Sequence, residues 1–256
     1  MIRSRQNRHL KDIRRLRRCK DELAVLEGPH LLHEAVVVGG RQPIFTIATP
    51  AFLDEPRHRD LLAALEVPPL AVLPQLMREV CDADSPRGIV GVLPLPRVGI
   101  EALPHPSRGV YLYLDGMQDP GNLGALARVA EASGVEAMAL APDSVSPNHP
   151  RALRASAGSL LRLPTAVGIT AAALRHHLAP IAPRWLALAA DGGTDLYRAE
   201  LEPPVVLLLG AEGRGLSKAA LDLADERIAI PMQGAVESLN VTVAAALVLF
   251  EIRRAT

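Results

Sequence analysis

Near the end of the chain the sequence reads IPMQGAVESLNVTVAAALVLFE, from Ile230 to Glu251. It joins an apolar strand end to a glycine-containing loop and then to an apolar helix. Ser238 occupies the expected N-cap position, where a hydroxyl accepts hydrogen bonds from unpaired amides of the first turn. Asn240 then falls inside that turn, between Leu239 and Val241. Since a helix N-terminus favours an anion or a polar ligand, the stretch predicts one half of a binding pocket.

Outward from this stretch, apolar strands alternate with helices along the chain, which is typical of an α/β fold. The runs VYLYL (110–114) and VVLLLG (205–210) carry no charge on either face, so they predict a parallel sheet covered on both sides. A segment rich in Pro and Gly interrupts the alternation. We therefore predict a smaller N-terminal α/β domain (1–95), a linker (96–108) and a parallel-sheet domain (109–256).

The overall composition excludes several classes of protein. The two cysteines, Cys19 and Cys81, lie far apart, and no CxxC pair or His cluster accompanies them. This pattern predicts neither a disulfide framework nor a metal site, and it favours a reducing, cytoplasmic setting. No apolar run reaches membrane-spanning length, and no signal peptide is apparent. We expect a chain that neither enters a membrane nor is secreted.

The formal net charge is zero, but the charge is unevenly distributed. Basic residues crowd the first twenty positions, where only Asp12 opposes them, and Leu10, Ile13 and Leu16 recur at helical spacing. The segment predicts an amphipathic basic helix, which is either a solvated face or a contact for nucleic-acid phosphates. The basic residues are Arg3, Arg5, Arg8, Lys11, Arg14, Arg15, Arg17, Arg18 and Lys20.

Three loops follow strands of the predicted parallel sheet, where ligands of such sheets gather. They read DGMQDPGNLGALAR (115–128), LLLGAEGRGLS (207–217) and IPMQGAVESLNVTVA (230–244). The middle loop has neither dinucleotide-binding nor P-loop spacing, and Glu212 would repel phosphate. It suits a ligand that is cationic or rich in donors, such as a nucleoside with a positive sulfonium.

Asn122 and Arg128 stand at the start of the helix that follows the first loop, which we place at 125–133. In one interpretation Asn122 caps this helix and Arg128 solvates its surface. In the other, Arg128 lies among apolar neighbours and needs an anionic partner, because burying an unpaired guanidinium is costly. The apolar flanks favour the functional interpretation.

Together, the three loops resemble the SpoU/TrmH-type RNA ribose 2′-O-methyltransferases of the SPOUT class. DPGNLGALAR, LLLGAEGRGLS and IPMQGAVESLNVTVAAALVLFE are similar to the three motifs of that family, in the family's order. The likeness extends to PNHPRALRASAGSLLRLP, and in the N-terminal half to VLEGPHLLHEA and SPRGIVGVLPLP. It covers nearly the whole chain.

This resemblance implies transfer of a methyl group from S-adenosyl-L-methionine to a ribose 2′-hydroxyl in structured RNA, without a metal. It also implies a deep trefoil knot in the C-terminal domain, a homodimer, and a ribosomal-protein-like N-terminal domain that binds RNA. Ribosomal RNA is the favoured substrate, because the N-terminal domain resembles that of members directed to it.

The resemblance also assigns roles to individual residues. The implied catalytic residues are Asn122, Arg128, Glu212, Ser238 and Asn240. Residues implied to bind the cofactor are Leu209, Gly210, Glu212, Gly213, Ile230, Met232, Ser238 and Leu239. RNA contacts are expected from Arg14, Arg15, Arg18, Arg128 and Arg154. A guanidinium stays protonated, so Arg128 is better described as a phosphate clamp and stabiliser of the developing alkoxide than as a general base.

Several alternatives remain open at this stage. Transfer RNA is the nearest competing substrate. A second alternative is an RNA-binding protein that has kept the fold and lost catalysis, although the intact motifs argue against it. A third alternative is a nucleotide-dependent oxidoreductase. This hypothesis rests on GAEGRG alone and predicts NAD(P) binding.

Overall fold

The structure is a computed structural model that describes residues 1–17, 22–83, 85–96, 98–190, 192–234 and 236–255. The chain forms two compact units. The first comprises Met1–Pro96 with Ser146–Arg162, and the second comprises Arg97–Val145 with Leu163–Thr256. The predicted domains 1–95 and 109–256, with their linker 96–108, stay a prediction.

Eleven strands and eleven α-helices are found within the described residues. The strands are β1 Leu23–Glu27, β2 Phe45–Ala48, β3 Leu70–Ala71, β4 Ile89–Pro94, β5 Val110–Asp115, β6 Ala137–Leu140, β7 Thr165–Val167, β8 Arg184–Ala189, β9 Thr194–Asp195, β10 Val205–Gly210 and β11 Glu226–Ala229. The helices are α1 Arg8–Leu16, α2 Pro29–His33, α3 Pro50–Leu53, α4 Arg59–Ala63, α5 Pro74–Val80, α6 Pro120–Ser133, α7 Pro150–Ser156, α8 Ser159–Arg162, α9 Ala171–Leu178, α10 Lys218–Leu221 and α11 Val241–Ala255. A π-helical turn, Glu34–Val38, continues α2, and 3₁₀ turns occupy Pro56–His58, Ile100–Ala102 and Ala179–Ile181.

The first unit contains a four-stranded mixed sheet in the order β1-β4-β2-β3. β4 pairs antiparallel with β1 and β2, and β2 pairs parallel with β3. Helix α1 has the predicted amphipathic character, because Leu10, Ile13 and Leu16 are buried while Lys11 and Arg15 are exposed. Its apolar face packs with residues of β2, β4 and α5 in one core.

The second unit contains a seven-stranded sheet in the order β7-β6-β5-β10-β8-β11-β9. Every pair in it is parallel, which confirms the predicted parallel sheet. The apolar strands are buried as expected, and Trp185 of β8 is among the largest fully buried side chains. The knot concerns the threading of the chain and stays a prediction.

The parallel arrangement places three loops at one edge of the sheet. β5 and β10 are neighbours in register, with Gly210 opposite Asp115, and β11 lies beyond β8. The carboxyl ends of parallel strands share one edge, so the loops that follow β5, β10 and β11 are brought together there. Helix α11, which follows the last of these loops, packs on α6.

The start of α6 differs from the prediction. Helix α6 begins at Pro120, five residues before the predicted start at Ala125, and its N-cap is Asp119. Proline is favoured in the first helical turn, where no intrahelical N–H partner exists, and aspartate is a strong N-cap. Asn122 therefore lies inside the helix, and the interpretation of Asn122 as its cap is wrong.

No helix within the described residues combines the length and the hydropathy needed to cross a lipid bilayer.

Candidate active site

The first motif reaches the site through the opening turn of α6. The Asp119 side chain accepts a hydrogen bond from the Asn122 amide at 2.8 Å, which fixes the start of the helix. The Asn122 side chain is thereby directed from the first turn toward the loop after β10. The sequence DPGN thus specifies both the cap and the direction of the polar side chain.

The second motif is a tight loop that folds back over the end of β10. The Gly215 amide donates to the Ala211 carbonyl at 2.8 Å, and the Ser217 amide donates to the buried Asp115 carboxylate at 2.6 Å. Gly210 faces the backbone of Gly215 so closely that no Cβ fits between them. Glycine is required here for close backbone approach, and the loop is thereby held against the end of β5.

Side chains from all three motifs meet at Glu212. Asn122 Nδ2 donates to Glu212 Oε1 at 2.7 Å. Asn240 Nδ2 lies 3.3 Å from the same Glu212 oxygen and 3.3 Å from Asn122 Oδ1. We call Asn122, Glu212 and Asn240 the polar triad. Three of the five predicted catalytic residues are thus brought together by hydrogen bonds.

The third motif differs from the prediction at its helix start. Helix α11 begins at Val241, and Asn240 Oδ1 accepts from the Thr242 amide at 2.9 Å. Asn240 is therefore the N-cap, and Ser238 lies two residues before it. The predicted cap at Ser238 is wrong because serine and asparagine are both good caps, and the pattern alone favoured the earlier one.

A cavity of about 580 Å³ opens beside the triad. The lining includes every residue that the sequence predicted to bind a cofactor, from Leu209 to Gly213 and from Ile230 to Leu239. Sequence reasoning missed Leu188, Ala189 and Ala190 at the end of β8, and Glu237 in the third loop. The sequence could have indicated the residues at the end of β8, because ligands gather beyond the carboxyl ends of parallel strands. The complete lining is Leu188, Ala189, Ala190, Leu209, Gly210, Ala211, Glu212, Gly213, Gly215, Ile230, Met232, Glu237, Ser238, Leu239, Asn240, Val241 and Ala244.

Arg128 lies two turns into α6 and is exposed. The argument that it is buried among apolar neighbours is wrong, because the helix turns Leu126 and Ala127 inward and Arg128 outward. Its guanidinium has no hydrogen-bonding or ionic partner among the residues that the structure describes. The side chain is therefore a free cation on the surface of α6, and its catalytic role stays a prediction.

The basic residues predicted for α1 divide into paired and unpaired groups. Arg14 donates to the Arg5 carbonyl at 3.0 Å and to Glu79 at 3.3 Å. Arg15 is exposed, and Arg18 lies outside the described residues. Arg14 is thus engaged within the first unit, whereas Arg15 is open to solvent.

Arg154 of α7 also has partners within the first unit. It contacts Asp82 at 3.1 Å and approaches Glu27 at 3.7 Å, and Arg17 contacts Asp82 at 2.7 Å. Burial alone raises the pKa of Asp82, but hydrogen bonds from both arginines outweigh burial and leave that pKa below its usual value. Arg154 therefore ties α7 to β1 and to the loop after α5, and an RNA contact by Arg154 stays a prediction.

No group of His, Cys, Asp and Glu side chains suited to hold a metal ion is found within the part of the chain that the structure describes.

Comparison with known proteins gives consistent likenesses. Residues 109–250 match the model of the SpoU rRNA Methylase family. An uncharacterized tRNA/rRNA methyltransferase of Synechocystis is 34% identical, over 99% of this chain and 93% of that protein. The 23S rRNA (guanosine-2′-O-)-methyltransferase RlmB of Ralstonia nicotianae is 34% identical, over 76% of this chain and 81% of that protein. The crystal structure of an AdoMet-bound rRNA methyltransferase from Sinorhizobium meliloti matches with a TM-score of 0.85 at 26% identity, over 99% and 97% of the two chains.

The cap assignment makes a testable prediction. We expect Asn240→Ala to lower the free energy of unfolding by about 1 kcal/mol, because it removes the N-cap of α11. Ser238→Ala should change it by less than about 0.5 kcal/mol. Urea denaturation followed by circular dichroism measures both values. Equal losses in the two variants would show that Asn240 is not the dominant cap.

Proposed function

The chain belongs to the SpoU rRNA methylase family, and we propose that it transfers a methyl group from S-adenosyl-L-methionine to a ribose 2′-hydroxyl of ribosomal RNA. The family match over 109–250 and the likeness to RlmB confirm the predicted family and the predicted class of enzyme. An rRNA substrate implies that the protein acts where ribosomes are assembled, so we infer a cytoplasmic location.

The observation that carries the proposal is the meeting of the three motifs in the polar triad, at the mouth of one cavity. Its volume of about 580 Å³ is typical of a pocket for a small organic ligand. Apolar and glycine residues dominate the lining and suit an adenosine moiety. The arrangement fits a nucleoside cofactor.

The charges of the lining distinguish between cofactors. Among the described residues that line the cavity, the charged ones are the carboxylates Glu212 and Glu237. A diphosphate would be repelled there, whereas a sulfonium would be attracted. The cavity therefore fits S-adenosyl-L-methionine and does not fit NAD(P), which removes the basis for an oxidoreductase.

When bound, the cofactor supplies an electrophilic methyl carbon on a positive sulfur. The residues of the chain must hold the ribose oxygen in line with that carbon and exclude water. The triad fixes the three loops relative to one another, so the walls of the cavity are set before the ligand arrives. Arg128 contributes a positive charge that stabilises the developing alkoxide or binds a neighbouring phosphate.

Incubation of unmodified 23S rRNA with the protein and methyl-labelled cofactor tests the proposal. We expect label in the RNA at a nucleotide whose 3′ phosphodiester resists alkaline hydrolysis, because its 2′-hydroxyl is methylated. We also expect isothermal titration to show binding of S-adenosyl-L-methionine. Labelling of transfer RNA instead of rRNA would change the substrate but not the reaction. Absence of cofactor binding would refute the enzymatic function.

Arg128→Ala should reduce methyl transfer at least about a hundredfold, since it removes a transition-state charge interaction. Cofactor affinity should stay within about twofold, because Arg128 does not line the cavity. Single-turnover transfer and titration calorimetry measure the two effects. Arg108→Gln, an exposed arginine just before β5, serves as the control. Near-normal transfer by Arg128→Ala would contradict the assigned role.

We further propose that α1 contacts RNA phosphates through Arg8, Lys11 and Arg15. These residues lie at positions i, i+3 and i+7 and are all exposed, so they form one stripe opposite the buried face. Arg15 belongs to the set predicted from the sequence, whereas Arg14 is paired with Glu79. Arg8 Nε donates to His9 Nε2 at 3.4 Å, and none of the three cations has an acidic partner among the described residues. Such a stripe suits backbone contacts that do not depend on sequence.

Replacement of Arg8, Lys11 and Arg15 by Gln should weaken RNA binding. The slope of log K against log salt should fall by about 2 to 3, because each phosphate contact contributes about 0.7 to 0.9. Filter binding over a range of KCl concentrations measures the slope. Arg57→Gln, which removes an exposed charge from a different part of the first unit, is the control. An unchanged slope in the triple variant would mean that the stripe is only a solvated face.

We also propose that the protein is a homodimer that buries the outer face of α11. Val243, Leu247 and Phe250 are 50%, 39% and 48% exposed, and their spacing places them on one face. The opposite face, with Ala245, Val248, Leu249 and Ile252, is buried. A helix that is apolar on both faces is expected to be covered on both.

Leu247→Lys should convert the dimer to a monomer, because it introduces a charge at the centre of this apolar face. Sedimentation velocity measures the oligomeric state. Val38→Lys, which alters an exposed apolar residue of the first unit, is the control. A wild-type protein that sediments as a monomer, or a Leu247→Lys dimer of unchanged stability, would refute this interface.

A further inference from the structure

Arg214 occupies a distinctive position in the second motif. It stands between Gly213 and Gly215, both of which have φ in the left-handed region, at +77° and +70°. Two residues before it, Glu212 takes part in the polar triad. The Arg214 side chain is 60% exposed. The loop therefore directs a carboxylate into the triad and a cation toward solvent.

The guanidinium of Arg214 is fixed by its surroundings. Its Nη2 donates to Asp143 Oδ2 at 2.9 Å. The same nitrogen lies directly over Gly116, where an added Cβ would displace it. Gly116 has a φ of +77°, a left-handed conformation that favours glycine. The cation is thus held against the end of the strand that leads to the first motif.

Asp143 is itself held in place. Gln118 Nε2 donates to the Asp143 carbonyl and to the Gly116 carbonyl, the latter at 3.2 Å. The loops after β5, β6 and β10 are therefore connected through Asp143, Gln118 and Arg214. The hydrogen bond and the charge of Asp143 also raise the pKa of Arg214 above its ordinary value.

The ion pair between Arg214 and Asp143 contributes little to the stability of the fold. Its two side chains are 60% and 54% exposed, and an exposed ion pair contributes about 0 to 1 kcal/mol. A guanidinium has five N–H donors, and Asp143 accepts from Nη2. Further donors of Arg214 are exposed to solvent. A planar fork of donors is well suited to bind a phosphate.

We propose that Arg214 binds a backbone phosphate of the substrate RNA next to the target ribose, and that Asp143 is the positioning residue that orients it. The inference rests on the proposed function and adds to it a contact with the RNA. In this proposal the loop after β10 serves two partners: Glu212 faces the cofactor cavity, and Arg214 faces the nucleic acid.

Steady-state methylation of unmodified 23S rRNA tests the proposal in the full-length protein. Arg214→Gln should raise KM for the RNA about tenfold, a typical effect of losing a charged contact, and change kcat much less. The salt slope of RNA binding should fall by about 1. The affinity for S-adenosyl-L-methionine should stay within about twofold.

Two further variants test the geometry. Arg214→Lys should recover only part of the RNA affinity, because an ammonium lacks the fork of a guanidinium. Asp143→Asn should raise KM for the RNA by a smaller factor, about threefold, because the cation remains but is less well oriented. Neither change should alter cofactor affinity.

Arg108→Gln is the matched control. Arg108 is an exposed arginine just before β5, so it lies at the amino edge of the same sheet, opposite the edge that carries Arg214. It should leave KM and the salt slope unchanged.

The outcomes separate this inference from the proposed function. A wild-type protein without methyl transfer would refute the proposed function itself. An active wild type, with an Arg214→Gln variant of normal KM and normal salt slope, would overturn only the role of Arg214. Weakened cofactor binding in Arg214→Gln would show that the ion pair merely holds the loop, and this too would overturn the proposal.

Discussion

The candidate site depends on the hydrogen bonds that converge on the Glu212 carboxylate. Asn122 and Asn240 donate to one oxygen of Glu212, and these two residues are 118 positions apart in the chain. Asn240 has a second task, because its Oδ1 caps α11 while its Nδ2 enters the triad. The start of the last helix and the geometry of the site are therefore set by one side chain. Hydrogen bonds to a carboxylate are stronger than neutral ones, but the triad lies near solvent, where they are partly screened. A substrate that excludes water would strengthen them.

The parallel sheet explains why such a triad can form. All seven strands point the same way, so their carboxyl ends share one edge. β5 and β10 are buried, and Gly210 allows the backbone of the loop after β10 to approach its own strand end closely. The sheet thus fixes where the three loops begin, and the glycines let them converge. Neither feature is sufficient alone.

Much of this organisation could be predicted from the sequence, and the exceptions have physical causes. Charge-free apolar runs predicted the parallel strands, and the order of the three motifs predicted a common site. The helix starts were less well predicted, because DPGN and ESLN each offer several capping residues and the choice depends on which backbone amide is in reach. The orientation of Arg128 was also mispredicted. The flanking apolar residues suggested burial, but a helix turns 100° per residue and places neighbours on different faces.

The distribution of charge reconciles a net charge of zero with an RNA substrate. In the first unit, the acidic residues Glu27, Glu79 and Asp82 are engaged by Arg5, Arg14, Arg17 and Arg154. The outer stripe of α1 is exposed and has no acidic partner within the described part of the chain. In the second unit, Glu212 and Glu237 line the cavity that suits a cationic cofactor. Arg128 is exposed and has no partner among the described residues, whereas Arg214 is exposed but paired with Asp143. What RNA meets is set by the exposed cations, including a guanidinium that keeps further donors beside its ion pair. A total charge is therefore a poor guide to nucleic-acid binding, because it does not show which charges are paired and which are exposed.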